Sequence, residues 1–198
     1  MKIIDLNSTQ KKKEVFEVQK NLDLFLVATN SFEYELEVHL NSENSSSNIY
    51  VLLLGNQSKT FNLNITSRHN ARSTFSRVHV KSVLSNGSIL NFEGLIRIES
   101  SGLYSDAYLQ NDNLLITSDS IVNTSPQLEI LADDVKVSHG VTIKDIDEEY
   151  KFYLTSRGLS VGQSKGLIIK GFINDLLKRL SVDQRKELLS EDLAFELE

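Results

Sequence analysis

The 198-residue sequence contains no cysteine. Disulfides, thiolate metal sites, cysteine nucleophiles and cysteine-ligated iron–sulfur clusters are therefore excluded within this chain. Proline is almost as scarce, Pro126 being the only one. Turns must come from other residues, and Asn/Ser/Gly clusters supply them at 41–48, Ser85-Asn86-Gly87-Ser88 and Ser100-Ser101-Gly102. No stretch approaches the ~20 apolar residues of a membrane-crossing helix, and Met1-Lys2-Ile3-Ile4-Asp5 lacks the apolar run of a signal peptide. These absences predict a cytoplasmic chain with no membrane partner. There is no excess of positive charge either. With 21 basic against 27 acidic side chains the net charge is -6, which leaves no electrostatic footprint for nucleic acid. A Walker-type phosphate loop is also missing, so any ATP dependence must come from another chain.

The sequence does have ordinary globular usage, 40% hydrophobic and 24% charged, in a length that suits one domain with at most a small appendage. Short β-branched or alternating runs predict strands at 24–29, 34–39, 50–54, 61–65, 74–83, 89–98, 113–117, 127–131 and 135–143, the last broken at Gly140. In 89–98 the apolar Leu90, Phe92, Ile96 and Ile98 share one parity, as a buried strand face requires. A file of strands with no helix between them fits a sandwich, a barrel or a β-helix, and no clean sequence repeat chooses among them. Near Asp145 the pattern changes. Asp147-Glu148-Glu149 opens a short helix that Gly158 can end. A second helix, about 163–180, carries Leu167, Ile168, Phe172, Ile173, Leu176, Leu177 and Leu180 on one side. Ser181-Val182-Asp183-Gln184 is a capping box for a third helix with Leu188, Leu189 and Leu193 as its apolar face. These helices either form a docking platform or cover an open end of the core.

From Arg68 to about Leu177 the order of motifs resembles the SufB/SufD family of iron–sulfur cluster assembly proteins, most of all its SufD branch. The resemblance is carried by His69-x-x-x-Ser73-Thr74-x-Ser76, Lys81-Ser82-Val83-Leu84, Phe92-x-Gly94-x-Ile96, Ser105-Asp106-Ala107 with Gln110-x-x-Asn113-Leu114-Leu115, and 126–136. Ser138-His139-Gly140-x-Thr142, Asp147-Glu148-Glu149, Tyr153-Leu154-x-Ser156-Arg157-Gly158 and Gly171-Phe172 complete it. The resemblance implies a mainly β chain: a right-handed parallel β-helix core at 66–145, a helical region at 146–198, and a short strand-rich segment at 1–65 that joins or caps the core. It also implies a non-catalytic scaffold subunit that pairs through its β-helix with a SufB-type chain or a second copy of itself, and docks a SufC-type ABC ATPase. A transient cluster would form at the shared interface, with no cofactor bound by this chain alone.

Departures from the family pattern matter for that expectation. Val137 stands where SufD-like members carry a cysteine two residues before the motif histidine. At or near Asn111 SufB-like members carry another, and Gly140 replaces their glutamate. The chain therefore reads as a minimal or divergent member, and the alternative is a structural β-solenoid that has lost cluster assembly. His139 is the remaining motif residue with metal-binding chemistry, either a cluster contact completed by a second chain or an interface histidine. Asp133 and Asp134 read as a turn, since adjacent strand residues face opposite ways. The candidate ATPase-docking surface is Asp147, Glu148, Glu149, Tyr150, Tyr153, Arg157, Leu167, Phe172 and Leu176, against the alternative that its apolar members pack internally.

Overall fold

The computed structural model describes residues 1–7 and 11–191, the side chains of 187 and 189–191 excepted. One sheet is built of β1 (Lys2–Asp5), β3 (Asn21–Ala28), β5 (Ser46–Gly55), β7 (Phe75–Leu84), β9 (Asp106–Leu115) and β11 (Lys136–Asp145), in that order. The facing sheet runs β2 (Lys12–Val18), β4 (Phe32–Leu40), β6 (Thr60–His69), β8 (Ile89–Ile98) and β10 (Ile121–Ile130). Every paired neighbour is parallel. Parallel strands need a long crossover, and here the crossover is the intervening strand of the opposite sheet, which makes the architecture a two-sheet parallel β-helix with helices after it.

After a shorter first coil, in which Lys2 pairs with Leu24, Lys12 with Tyr34 and Asn21 with Ser46, the coils are nearly constant in length. Ser46 pairs with Phe75, Phe75 with Asp106 and Asp106 with Lys136, and side-chain bonds between adjacent coils join residues 29, 30, 31 or 32 apart. At one edge each coil turns on a residue in the left-handed region: Asn44 (φ 60), Ser73 (φ 54), Tyr104 (φ 63) and Asp134 (φ 52). The amides of Asn44, Ser73 and Tyr104 donate to Arg72, Leu103 and Asp134 of the next coil. The repeat is thus conformational. Four different side chains fill the turn, so no sequence repeat is visible.

Alternation drives the core. Phe61, Leu63 and Ile65 of β6, and Leu90, Phe92, Ile96 and Ile98 of β8, point inward and are buried, each worth about 1.5–3 kcal/mol of burial. The glycine in this file has a packing reason, because a Cβ on Gly94 would meet Leu109 Cδ1 at 2.4 Å. Continuous apolar runs occur only where both faces are covered. In β3 and β5, Phe25, Val27, Leu52 and Leu54 point outward and pack, with Val83 and Leu114, beneath the helical region.

That region consists of α1 (Glu148–Ser156), α2 (Val161–Leu177) and α3 (Val182–Glu191). Asp147 caps α1 by accepting from the amides of Glu149 and Tyr150, and Gly158 (φ 93) follows its end. Ser160 and Gln163 form a reciprocal capping box that starts α2 two residues earlier than its apolar stripe suggests. Ser181 and Gln184 do the same for α3. Leu193 lies outside the described residues, as does the side chain of Leu189, while Leu188 packs on the helix–sheet layer. Lys81, nearly buried, fastens α2 to the sheet: its ammonium donates to Asp175 Oδ1 and to the Phe172 carbonyl, both at 2.6 Å, with the Phe172 ring centroid 4.6 Å away. Among the described residues no helix is long and apolar enough to cross a membrane.

Three strand readings of the sequence need correction, one of them β10, which starts at Ile121 and not at 127. β11 runs unbroken through Gly140, because a parallel ladder uses backbone groups that glycine still has. β9 starts at Asp106, not near Asn113. Its polar residues disguise it, yet Asn111 and Asn113 face inward, fully buried, and their amides bond each other.

Candidate functional site

Two surfaces emerge, the β10/β11 end of the solenoid and the outer side of α1 and α2. At the end, the register carries the inward file onto the last strands. Val137, His139, Val141 and Ile143 pair with Ala107, Leu109, Asn111 and Asn113, and Val122, Thr124, Pro126 and Leu128 pair with Leu90, Phe92, Gly94 and Ile96. No further coil of the described residues covers them, so inward positions that are buried elsewhere are open here: Val141 is 37% and Ile143 49% exposed. His139 stands in this file between Val137 and Val141.

The motif positions singled out from sequence converge at this end. Val137 and His139 lie on one face of one strand, and Asn111 sits one coil below, opposite Val141. Gly140 belongs to the other face. A Cβ there would meet Gln110 Oε1 at 2.5 Å, so a larger side chain must displace a polar array in which Tyr108 donates to Gln110, Gln110 to Asp112 (2.6 Å), and Thr142 to Asp112 (2.7 Å). His79 Nε2 lies 3.0 Å from Asp112 as well. Burial alone would raise the Asp112 carboxyl, but the bonds from His79, Thr142 and Gln110 outweigh it and hold it well below the usual range. Asp133 and Asp134 lie in the corner turn before β11, Asp134 being its left-handed residue.

The strand edges differ in a way the sequence did not reveal. The amides of Ile121 and Leu131 donate into β8, so the even positions of β10 face its free edge. Pro126 leaves one donor missing there. On β11 the amide of Lys136 donates into β9, which turns the N–H and C=O groups of Val137, His139, Val141 and Ile143 outward. β11 is therefore an intact pairing edge and β10 a blunted one.

On the helical side, Tyr150, Phe152 and Tyr153 of α1 are 65%, 73% and 55% exposed, and Leu167 of α2 is 50% exposed. Asp147, Glu148, Glu149 and Arg157 rim them, the Arg157 guanidinium 5.1 Å from the Tyr153 ring. Tyr150, Leu154, Leu167, Ile168, Gly171 and Phe172 line an apolar groove that reaches Leu114, with Lys144, Asp145 and Asp147 at its mouth. Leu176 does not belong to this surface. It is 1% exposed and packs against the sheet, because the apolar stripe of α2 is wide enough to serve both sides. Phe172 is half-buried beside Lys81. Phe152 was missed, since helical periodicity cannot tell an outward aromatic from an inward one.

Residues 23–172 match the family model described as SUF system FeS cluster assembly, SufBD core domain. The chain is 34% identical over 163 residues to the iron-sulfur cluster assembly protein SufD of Escherichia coli, covering 82% of this chain and 38% of that protein. It is 31% identical over 120 residues to a SufBD family protein of Mycobacterium leprae, covering 61% of this chain and 14% of the relative. For a SufBD family protein of Synechocystis the identity is 36% over 89 residues, 45% and 20% of the two chains. The chain thus spans well under half the length of these relatives.

Proposed function

The chain belongs to the SufB/SufD family, and from that premise we propose that it is a non-catalytic scaffold subunit of a cytoplasmic iron–sulfur cluster assembly complex, with the cluster as cargo. The observation that carries this reading is the open β10/β11 end. Apolar inward positions, an intact β11 edge and His139 together suit edge-to-edge pairing with a SufB-type chain or a second copy. In such a pair His139 would lie at the shared interface. Thiolates for the nascent cluster would come from a SufB-type partner, since neutral imidazole can add a ligand but Val137 and Asn111 cannot.

The groove between α1 and α2 is the proposed seat of a SufC-type ABC ATPase, which would bring the ATP-driven motion this chain cannot generate. Exposed aromatics over a charged rim suit a helix-in-groove contact. Removing everything from Asp147 onward is a poor test, because it uncovers Phe25, Leu52, Leu54, Val83 and Leu114. The cleaner variant is Tyr150→Ala/Leu167→Glu, which alters exposed side chains only. Wild type is expected to co-purify with the SufC-type ATPase of its source, and this variant to lose it while keeping its circular dichroism. A folded wild type that retains no ATPase would remove the docking function. Iron-dependent absorbance after reconstitution with SufB-type and SufC-type chains, reduced in His139→Ala, would support the cluster role. The absence of cysteine favours the second reading, a structural solenoid without cluster assembly, and unchanged absorbance whether or not this chain is added would select it.

A further inference from the structure

A solenoid has two ends, and in this one they differ in where inward charge is concentrated. At the β1/β2 end the register sets Lys2 and Ile4 beside Leu24 and Leu26, and Lys12, Glu14, Phe16 and Val18 beside Tyr34, Leu36, Val38 and Leu40. The second member of each pair belongs to the core, so Lys2, Lys12 and Glu14 occupy inward positions. They are tied together there. The Lys12 ammonium bonds the Glu14 carboxylate, the Tyr34 hydroxyl donates to Glu14 Oε2 at 2.9 Å, and the Lys2 ammonium lies 5.0 Å from the centre of the Phe16 ring. The inward positions of β10 and β11, all of them described, carry no lysine or arginine, and their one carboxylate is Asp145 at the last position of β11.

We infer that Lys2, Lys12 and Glu14 close the β1/β2 end against a second solenoid and confine association to the β10/β11 end, whose fitting partner is another solenoid end of the same apolar kind. This rests on the pairing proposed above and adds its direction. Stacking a coil on the β1/β2 end would strip water from inward charges, which is unfavourable unless the newcomer offers matching groups. Inward-pointing charge is also a recognised device for blunting sheet edges. The consequence is closure. Two adhesive ends would join head to tail and propagate as a filament, whereas one adhesive end can only meet its like in a two-fold pair.

The test is the solution mass of the full chain by light scattering, for wild type and for Lys12→Met/Glu14→Leu. Wild type is expected to be no larger than a pair, and the uncapped variant at least twofold heavier at equal concentration. An uncapped variant that keeps its β-type circular dichroism and the wild-type mass would overturn the inference. If it does not fold, Lys12→Met/Glu14→Gln retains an acceptor for Tyr34 and is read by the same criterion. Val141→Lys alone, measured by itself and with a SufB-type chain, tests the pairing separately. If pairs persist there, the pairing proposal fails, and the Lys12/Glu14 comparison still judges the closed end.

Discussion

His69 stands where β6 hands over to β7, buried among hydroxyls: Nδ1 lies 2.8 Å from Thr74 Oγ1 and Nε2 2.8 Å from Ser76 Oγ, and Thr74 Oγ1 lies 2.7 Å from Ser105 Oγ. A neutral imidazole satisfies both contacts, one nitrogen donating and the other accepting. Burial, with the Arg77 charge nearby, pushes the ring down from its ordinary 6.5 to about 4. The unfolded chain therefore takes up this proton first as pH falls. The stabilising contribution is complete above pH 6.5 and is lost between there and pH 4, about 3 kcal/mol at 1.36 kcal/mol per unit. Urea midpoints should fall across that window in wild type and stay nearly flat in His69→Gln. Glu37, which hydrogen bonds from Lys13 and His39 hold down to about 2, acts at lower pH and does not blur the result. His69 was visible in the sequence only as a motif residue. Its neutrality comes from burial that no local pattern encodes.

Among the elements, β11 combines the most readable and the least readable features of the chain. Its inward parity, Val137, His139, Val141, Ile143, follows from alternation alone. Which backbone groups face solvent depends on the neighbour it pairs with, and that contrast can be measured. Val141→Pro removes an N–H from the free edge, whereas Thr142→Pro removes one from the ladder to β9. The first should abolish association while leaving the urea midpoint close to wild type, and the second should lower the midpoint markedly. Equal losses of stability would mean the edge is not free. The helices were legible for similar reasons. Asp147, Gly158 and the Ser181–Gln184 box are local signals, but the fate of Leu176 depended on the width of sheet beneath it.

For the whole molecule, a solenoid is stabilised coil by coil through nearest-neighbour contacts, so its ends open most readily. Amide exchange should accordingly be slowest in β5 to β8 and fast at Val137, His139, Val141 and Ile143. Association through the β10/β11 end should slow those four amides while leaving the β1/β2 end unchanged. Protection appearing in β2 instead would reverse the assignment of the ends. The two ends are also where sequence reading fell short. Only the register shows that Lys12 and Glu14 point inward, and β2 is absent from the predicted strands because its run of charges resembles a loop.

By itself the sequence determined the class of elements, the helix caps, the exclusion of thiolate chemistry and the family, because each depends on residue identity or short spacing. The tertiary structure decided the two-sheet coil, which inward file is left open, which edge can still pair and which end is closed. Those follow from contacts about 30 residues apart along the chain, joined by turns that share a backbone conformation and no side chain, so no local window of sequence contains them.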